Sequence, residues 1–318
     1  MNRLSAAILA AALAAPPGPL FRFHTDEFWL NLHHFLYVLG RAEAKMPDAT
    51  REAVVGAPAD AERGLATVSS EELKGWKDSV AFYGAGPSKR DAIFDSELPK
   101  IAHALAEAGE RPNLSSASSI EADLRATLER AAPIYRKTWW PAHRAANVEW
   151  RDAVQAHVKR HGGAVLALIT RAYGMEWPAD GFPVHLSGYA NWAGAYSTDD
   201  NLLVISGLDR STRGLSGLET VFHEAMHQWD GPMQNLLSDH ARRAGRRAPP
   251  GLSHALIWVT AGEAVRRVAP GYVPNADRFR IWERGMESLK GPVETTWKPY
   301  LDGQGTRDEA FAALIARF

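Results

Sequence analysis

Apolar positions recur every three to four residues along most of this chain, and one stretch breaks that rhythm. Residues 25–40 (TDEFWLNLHHFLYVLG) open the helical part. Thr25 stands as an N-cap, Phe28, Leu32, Phe35 and Leu39 form one stripe, and Gly40 supplies a stop. His33 and His34 lie inside it and read as packed or hydrogen-bonded bundle residues. The same period continues over 71–83, 96–108, 119–131 and about 141–160. Trp139, His143, Asn147 and Trp150 fall four, four and three apart, so they share a face if the last helix extends back through Trp139. An interhelical seam is the first reading of that face and a cleft lining the second. At 174–183 (GMEWPADGFP) the texture changes, and Pro and Gly mark a boundary. Residues 184–187, 193–197 and 202–206 then read as short strands, with Asp199, Asp200 and Asn201 as a turn. After Gly207 the pattern is helical to the end. The expected fold class is α+β and predominantly α. A helical N-terminal region spans 20–175, and a part with a small sheet spans 176–318.

Composition narrows the function classes. The 318 residues are ample for a buried core, and the formal net charge is −1. No broad basic footprint is present, so nucleic acid is not expected as a partner. The local cluster His240 to Arg247 (HARRAGRR) reads as a solvated loop first and a site for anions second. There is no cysteine, so any metal must be held by histidine and carboxylate. Residues 1–19 (MNRLSAAILAAALAAPPGP) resemble a leader: Arg3, an apolar run over 4–14, and Ala12-Leu13-Ala14 as a small-x-small cleavage pattern. The alternative is an Ala-rich N-terminal helix. The run is too short for stable membrane insertion. A leader implies a periplasmic or secreted protein.

The candidate chemistry sits at 219–231 (ETVFHEAMHQWDG). Ser216 and Glu219 fit an S-x-x-E capping box, and Asp230-Gly231-Pro232 supplies a stop. Leu218, Val221, Phe222, Ala225 and Trp229 form the core-facing stripe. His223 and His227 lie one turn apart on its flank, so both imidazoles can reach one ion. Two neutral imidazoles suit Zn²⁺ and leave positions open, and the ion lowers the pKa of a bound water to about 7. Glu224 is placed to take the proton as general base and return it to a leaving amine. A helix whose histidines merely hydrogen-bond is the alternative.

The stretch HEAMHQW resembles the zincin metallopeptidases, and is most similar to their gluzincin branch. The resemblance covers about 184–268; nothing specific is recognised in the first 180 residues. It implies a zincin-like catalytic domain over 176–318, with one Zn²⁺ held by two helical histidines and a glutamate from a later helix. The candidate is Glu263, in SHALIWVTAGEAVRRVAP. Ser253 would cap that helix. Arg267 stands where thermolysin-like members carry an aspartate behind a ligand histidine, so that supporting role falls to Asp230 or Asp239. The metzincin pattern HExxHxxGxxH does not continue here, since Asp230 replaces its glycine and Met233 its last histidine. The segment GTRDEAF (305–311) superficially fits the aspartate branch, but Thr306 and Glu309 read better as a capping box. The family also needs an oxyanion donor. His254, Tyr189, Tyr196, Tyr272 and Tyr300 are the candidates, and His254 is singled out. On one continuous helix, however, His254 and Glu263 are nine residues and half a turn apart.

The resemblance further implies a sheet edge, best matched by 194–206 (GAYSTDDNLLVIS), that holds an extended peptide. Gly194-Ala195-Tyr196-Ser197 begins like the G-A-M-E-N segment of aminopeptidases but lacks its Met-Glu-Asn part. The expected function is therefore that of an exported zinc peptidase acting on peptide or protein substrates. The alternative is a non-proteolytic metal-binding or interaction protein on the same scaffold.

Overall fold

The computed structural model describes residues 18–65, 68–198 and 200–318; the apolar run and cleavage pattern of the expected leader lie outside them. In chain order the first elements are β1 (Phe21–His24), α1 (Phe28–Glu43), α2 (Glu52–Val55), α3 (Ala57–Leu65), α4 (Ser70–Ala85), α5 (Leu98–Ala108), α6 (Ala122–Thr138) and α7 (Trp140–Tyr173). They are followed by β2 (Phe182–Ser187), β3 (Ala195–Ser197), β4 (Leu203–Ser206), α8 (Leu215–Met226) and α9 (Asp230–Arg243). The last are α10 (Leu252–Val268), α11 (Asn275–Arg278), α12 (Glu287–Leu301) and α13 (Arg307–Ile315). The fold is α+β and predominantly α.

The sheet has the order β1-β2-β4-β3, with β1, β2 and β4 parallel and β3 antiparallel at one edge. Alternation along the strands splits the core in two. Val184, Leu186, Leu203 and Ile205 face a core built with α7 to α13. Tyr196, Leu202 and Val204 face a second core built with α1 to α6. Long α7 serves both, with Trp140 in the second core and Trp150 to Tyr173 in the first.

The β1 strand is absent from the sequence reading, because FRFH is too short to separate from its Pro/Gly-rich surroundings. It pairs in register with β2, Phe21 against Phe182 and His24 against His185. The expected partition at 175/176 therefore cuts through one sheet.

Gly40 does not end α1. A side chain there would strike Ser88 Oγ and approach Gly84 N to 2.7 Å, so the glycine lets α1 cross α4 closely and the helix runs on to Glu43. The helix starts after Glu27 rather than Thr25, and nearly all its faces are buried. Its histidines are paired: His33 Nδ1 lies 2.8 Å from Tyr83 Oη, and His34 lies 3.1 Å from Ser187 Oγ and 2.9 Å from Tyr196 Oη. The face carrying His143, Asn147 and Trp150 is a seam. His143 bridges Tyr135 and Asp60, and Asn147 donates to Asn31 and to the Leu186 carbonyl.

Candidate metal centre

The stripe on α8 packs as its period requires. Leu218, Val221, Phe222 and Ala225 are fully buried, and Trp229 nearly so. The helix ends do not follow the expected caps. α8 starts at Leu215 after Gly214, and Ser216 caps nothing. Glu219 turns inward, where it accepts from Tyr272 Oη at 2.8 Å and from the Asn275 N–H at 3.0 Å. Burial pushes its pKa up to about 8. At the other end the chain turns rather than stops. A 3₁₀ turn over His227–Trp229 leads directly into α9, whose first turn accommodates Pro232.

His223 projects from α8, His227 from that 3₁₀ turn, and His254 from the first turn of α10. Their ring nitrogens converge. His223 Nε2 lies 3.2 Å from His227 Nε2 and 3.2 Å from His254 Nε2. One donor atom from each ring falls within 4.8 Å of the others. Such close approach of three aromatic nitrogens suits a cation between them. With Zn–N bonds of about 2.0–2.1 Å and tetrahedral angles, donor nitrogens sit about 3.3 Å apart. One proton on His223 Nε2 can serve only one of its two contacts well, whereas a central cation serves all three rings. The electrostatics agree. His223 is held well below the usual histidine range by burial and then by His227 and His254, and burial and His227 push His254 down to about 4. Both rings therefore keep a lone pair available at neutral pH.

Asp230 Oδ2 accepts a hydrogen bond from His227 Nδ1 at 2.7 Å. That contact fixes the tautomer that presents Nε2 to a metal. Asp239, the other aspartate expected as a candidate for that place, pairs with Arg242 instead. His223 Nδ1 is buried without a partner among the described residues. The Trp258 ring covers His223 with centroids 3.8 Å apart.

Glu224, the next residue after His223, is only 6% exposed. Burial raises its pKa, while His227 and a hydrogen bond from Ser197 oppose the rise. Ser197 Oγ lies 2.8 Å from Glu224 Oε2 and 2.8 Å from its backbone carbonyl oxygen.

Glu263, expected as the third ligand, is not among the converging groups. Its carboxylate is paired with Arg266 and, at 2.8 Å, with Lys298 Nζ. The reason is rotational: α10 carries His254 and Glu263 on opposite sides, and the histidine side faces α8. His254, expected as an oxyanion donor, thus stands as the third imidazole. Its helix starts at Leu252 after Gly251, so Ser253 does not cap it. Thr306 and Glu309 do form the capping box expected for the last helix. Sequence reading missed the convergence of His254 with the two other imidazoles and the contact of Ser197 with Glu224. His254 and Glu263 lie half a turn apart on α10, so the helix cannot turn both towards α8.

No protein-family model, curated protein or solved structure matches this chain.

Proposed function

We propose that the protein is a zinc-dependent hydrolase of peptide bonds, with His223, His227 and His254 as the ligands and Glu224 as the general base. The observation that carries this reading is the convergence of three ring nitrogens beside a buried carboxylate. The donor set is three imidazoles, so the zincin resemblance is kept for the HExxH segment, without the gluzincin glutamate. A zinc ion held there would supply Lewis acidity and bring the pKa of a water from 15.7 to about 7.

The chain's own residues do the rest. Asp230 keeps His227 in the tautomer with Nε2 free. Glu224, whose proton affinity is raised by its surroundings, takes the proton of the attacking water and returns it to the leaving amine. β3 is an edge strand whose outer edge pairs with no described strand, and the strand packs beside α8. It offers backbone groups to an extended peptide by strand addition. The leader-like segment would export the protein to the periplasm or beyond.

A second reading, metal binding without proteolysis, is favoured by one observation: His223 and Glu224 are only 2% and 6% exposed. Glu224→Gln separates the two. Under the hydrolase reading the variant keeps its zinc and loses about 10²–10⁴-fold in peptide hydrolysis. Equal hydrolysis by wild type and variant at equal zinc content would reject it.

A further inference from the structure

The α8 helix and the 3₁₀ turn that follows it touch the β3–β4 hairpin through polar side chains at two points. Ser197, the last residue of β3, places its hydroxyl 2.8 Å from Glu224 Oε2 and 2.8 Å from the Glu224 carbonyl oxygen. One turn further on, Gln228 donates to the Thr198 carbonyl at 2.8 Å and accepts from the Asn201 N–H at 3.1 Å. Glu224 and Gln228 are four apart and reach the same hairpin. Asn201 takes the left-handed conformation there, with φ of 60°, which an asparagine tolerates. The two clasps differ in kind. Gln228 bonds only backbone groups, so it ties the hairpin connection to the 3₁₀ turn after α8. Ser197 bonds the carboxylate itself, so it also determines where that carboxylate points.

A carboxylate with one oxygen bonded has its χ angles restricted, and its other oxygen keeps a defined direction. The hydroxyl belongs to the edge strand. A peptide laid along that edge would thus be registered against the same strand that aims the base.

We infer that Ser197 is the positioning residue that aims the Glu224 carboxylate from the edge strand, while Gln228 holds the hairpin in place. The inference rests on the hydrolase reading for its kinetic consequence. The contact itself is testable without any activity.

The experiment has two arms. The first is a double-mutant cycle of Ser197→Ala and Glu224→Ala on thermal stability in metal-free protein. A direct bond predicts a melting-temperature change in the double variant that departs from the sum of the single changes. Strict additivity overturns the assignment, whether or not the protein hydrolyses anything. The second arm measures kcat, KM and bound zinc for Ser197→Ala, Ser197→Thr and Gln228→Ala. Loss of a residue that orients a catalytic group predicts a fall in kcat of about 10–100-fold for Ser197→Ala at unchanged zinc and little-changed KM. Threonine, which keeps the hydroxyl, should recover most of it. Gln228→Ala should lower the melting temperature without that fall in kcat. Matching kinetics for the Ser197→Ala and Gln228→Ala variants, or no recovery by threonine, would reduce Ser197 to a structural clasp and overturn the inference. A zinc-loaded wild type inert towards peptides would instead reject the hydrolase reading, and the stability cycle would still decide the contact.

Discussion

His223, Glu224 and His227 lie within five residues, so the pitch of a helix brings them together whatever surrounds them. His254 reaches them only because α10 packs against α8, and nothing in its neighbours' spacing says so. Glu263 fitted a family pattern, but burial among Arg266 and Lys298 provides for its charge elsewhere. Glu219 shows the same limit. It stands three residues after a serine, as in a capping box, yet it is fully buried against Tyr272 and Asn275. That burial makes a prediction. The folded-state pKa is about 8, above the unfolded value near 4.5. Between those values the native state holds the proton that the unfolded state has lost. The contribution is complete below about pH 4.5 and disappears as pH rises towards 8. Replacing Glu219 by Gln should flatten the decline of the urea midpoint between pH 5 and pH 8 relative to wild type. Identical slopes in the two proteins would show that Glu219 does not titrate in this window.

At the level of elements, helices with a clear apolar stripe were found where the period put them, and several of their ends were not. The strands at 184–187, 193–197 and 202–206 correspond to β2, β3 and β4, because short apolar runs between turn residues leave few alternatives. Helix ends depend on what packs beside them. The 3₁₀ turn at His227 lets the chain enter α9 with Pro232 in its first turn, where Asp-Gly-Pro alone suggests a stop. Gly217 illustrates how packing outweighs propensity within α8. Alanine there would gain about 1 kcal/mol in helix propensity. Its methyl group would press into the Thr212 carbonyl oxygen and approach Val154 Cγ2 to 2.6 Å. Overpacking of that kind costs about 1–3 kcal/mol, and the backbone oxygen can retreat little. We expect Gly217→Ala to lower the denaturation midpoint, as read by urea unfolding. A midpoint equal to or above wild type would mean that α8 can shift away from the Thr212 turn.

Over the whole molecule, the class was readable and the layering was not. Helical periods flanking a few short strands specify a mainly α protein with a small sheet. They do not say that the sheet separates two cores, or that β1 comes from the far end of the chain to pair with β2. That layering matters for the site. The edge strand β3 is backed by Tyr196 against His34 of α1, while its next residue, Ser197, meets Glu224 of α8. Both halves of the chain therefore set the position of the proposed base. None of the described helices is long and apolar enough to cross a membrane. The functional account as a whole depends on His223, His227 and His254 acting as one donor set. The most direct test is zinc per chain, measured by elemental analysis after dialysis, for wild type, His254→Ala and Glu263→Gln. The account predicts one equivalent in wild type and in Glu263→Gln, and loss of most of it in His254→Ala. Zinc retained by His254→Ala but lost from Glu263→Gln would contradict it.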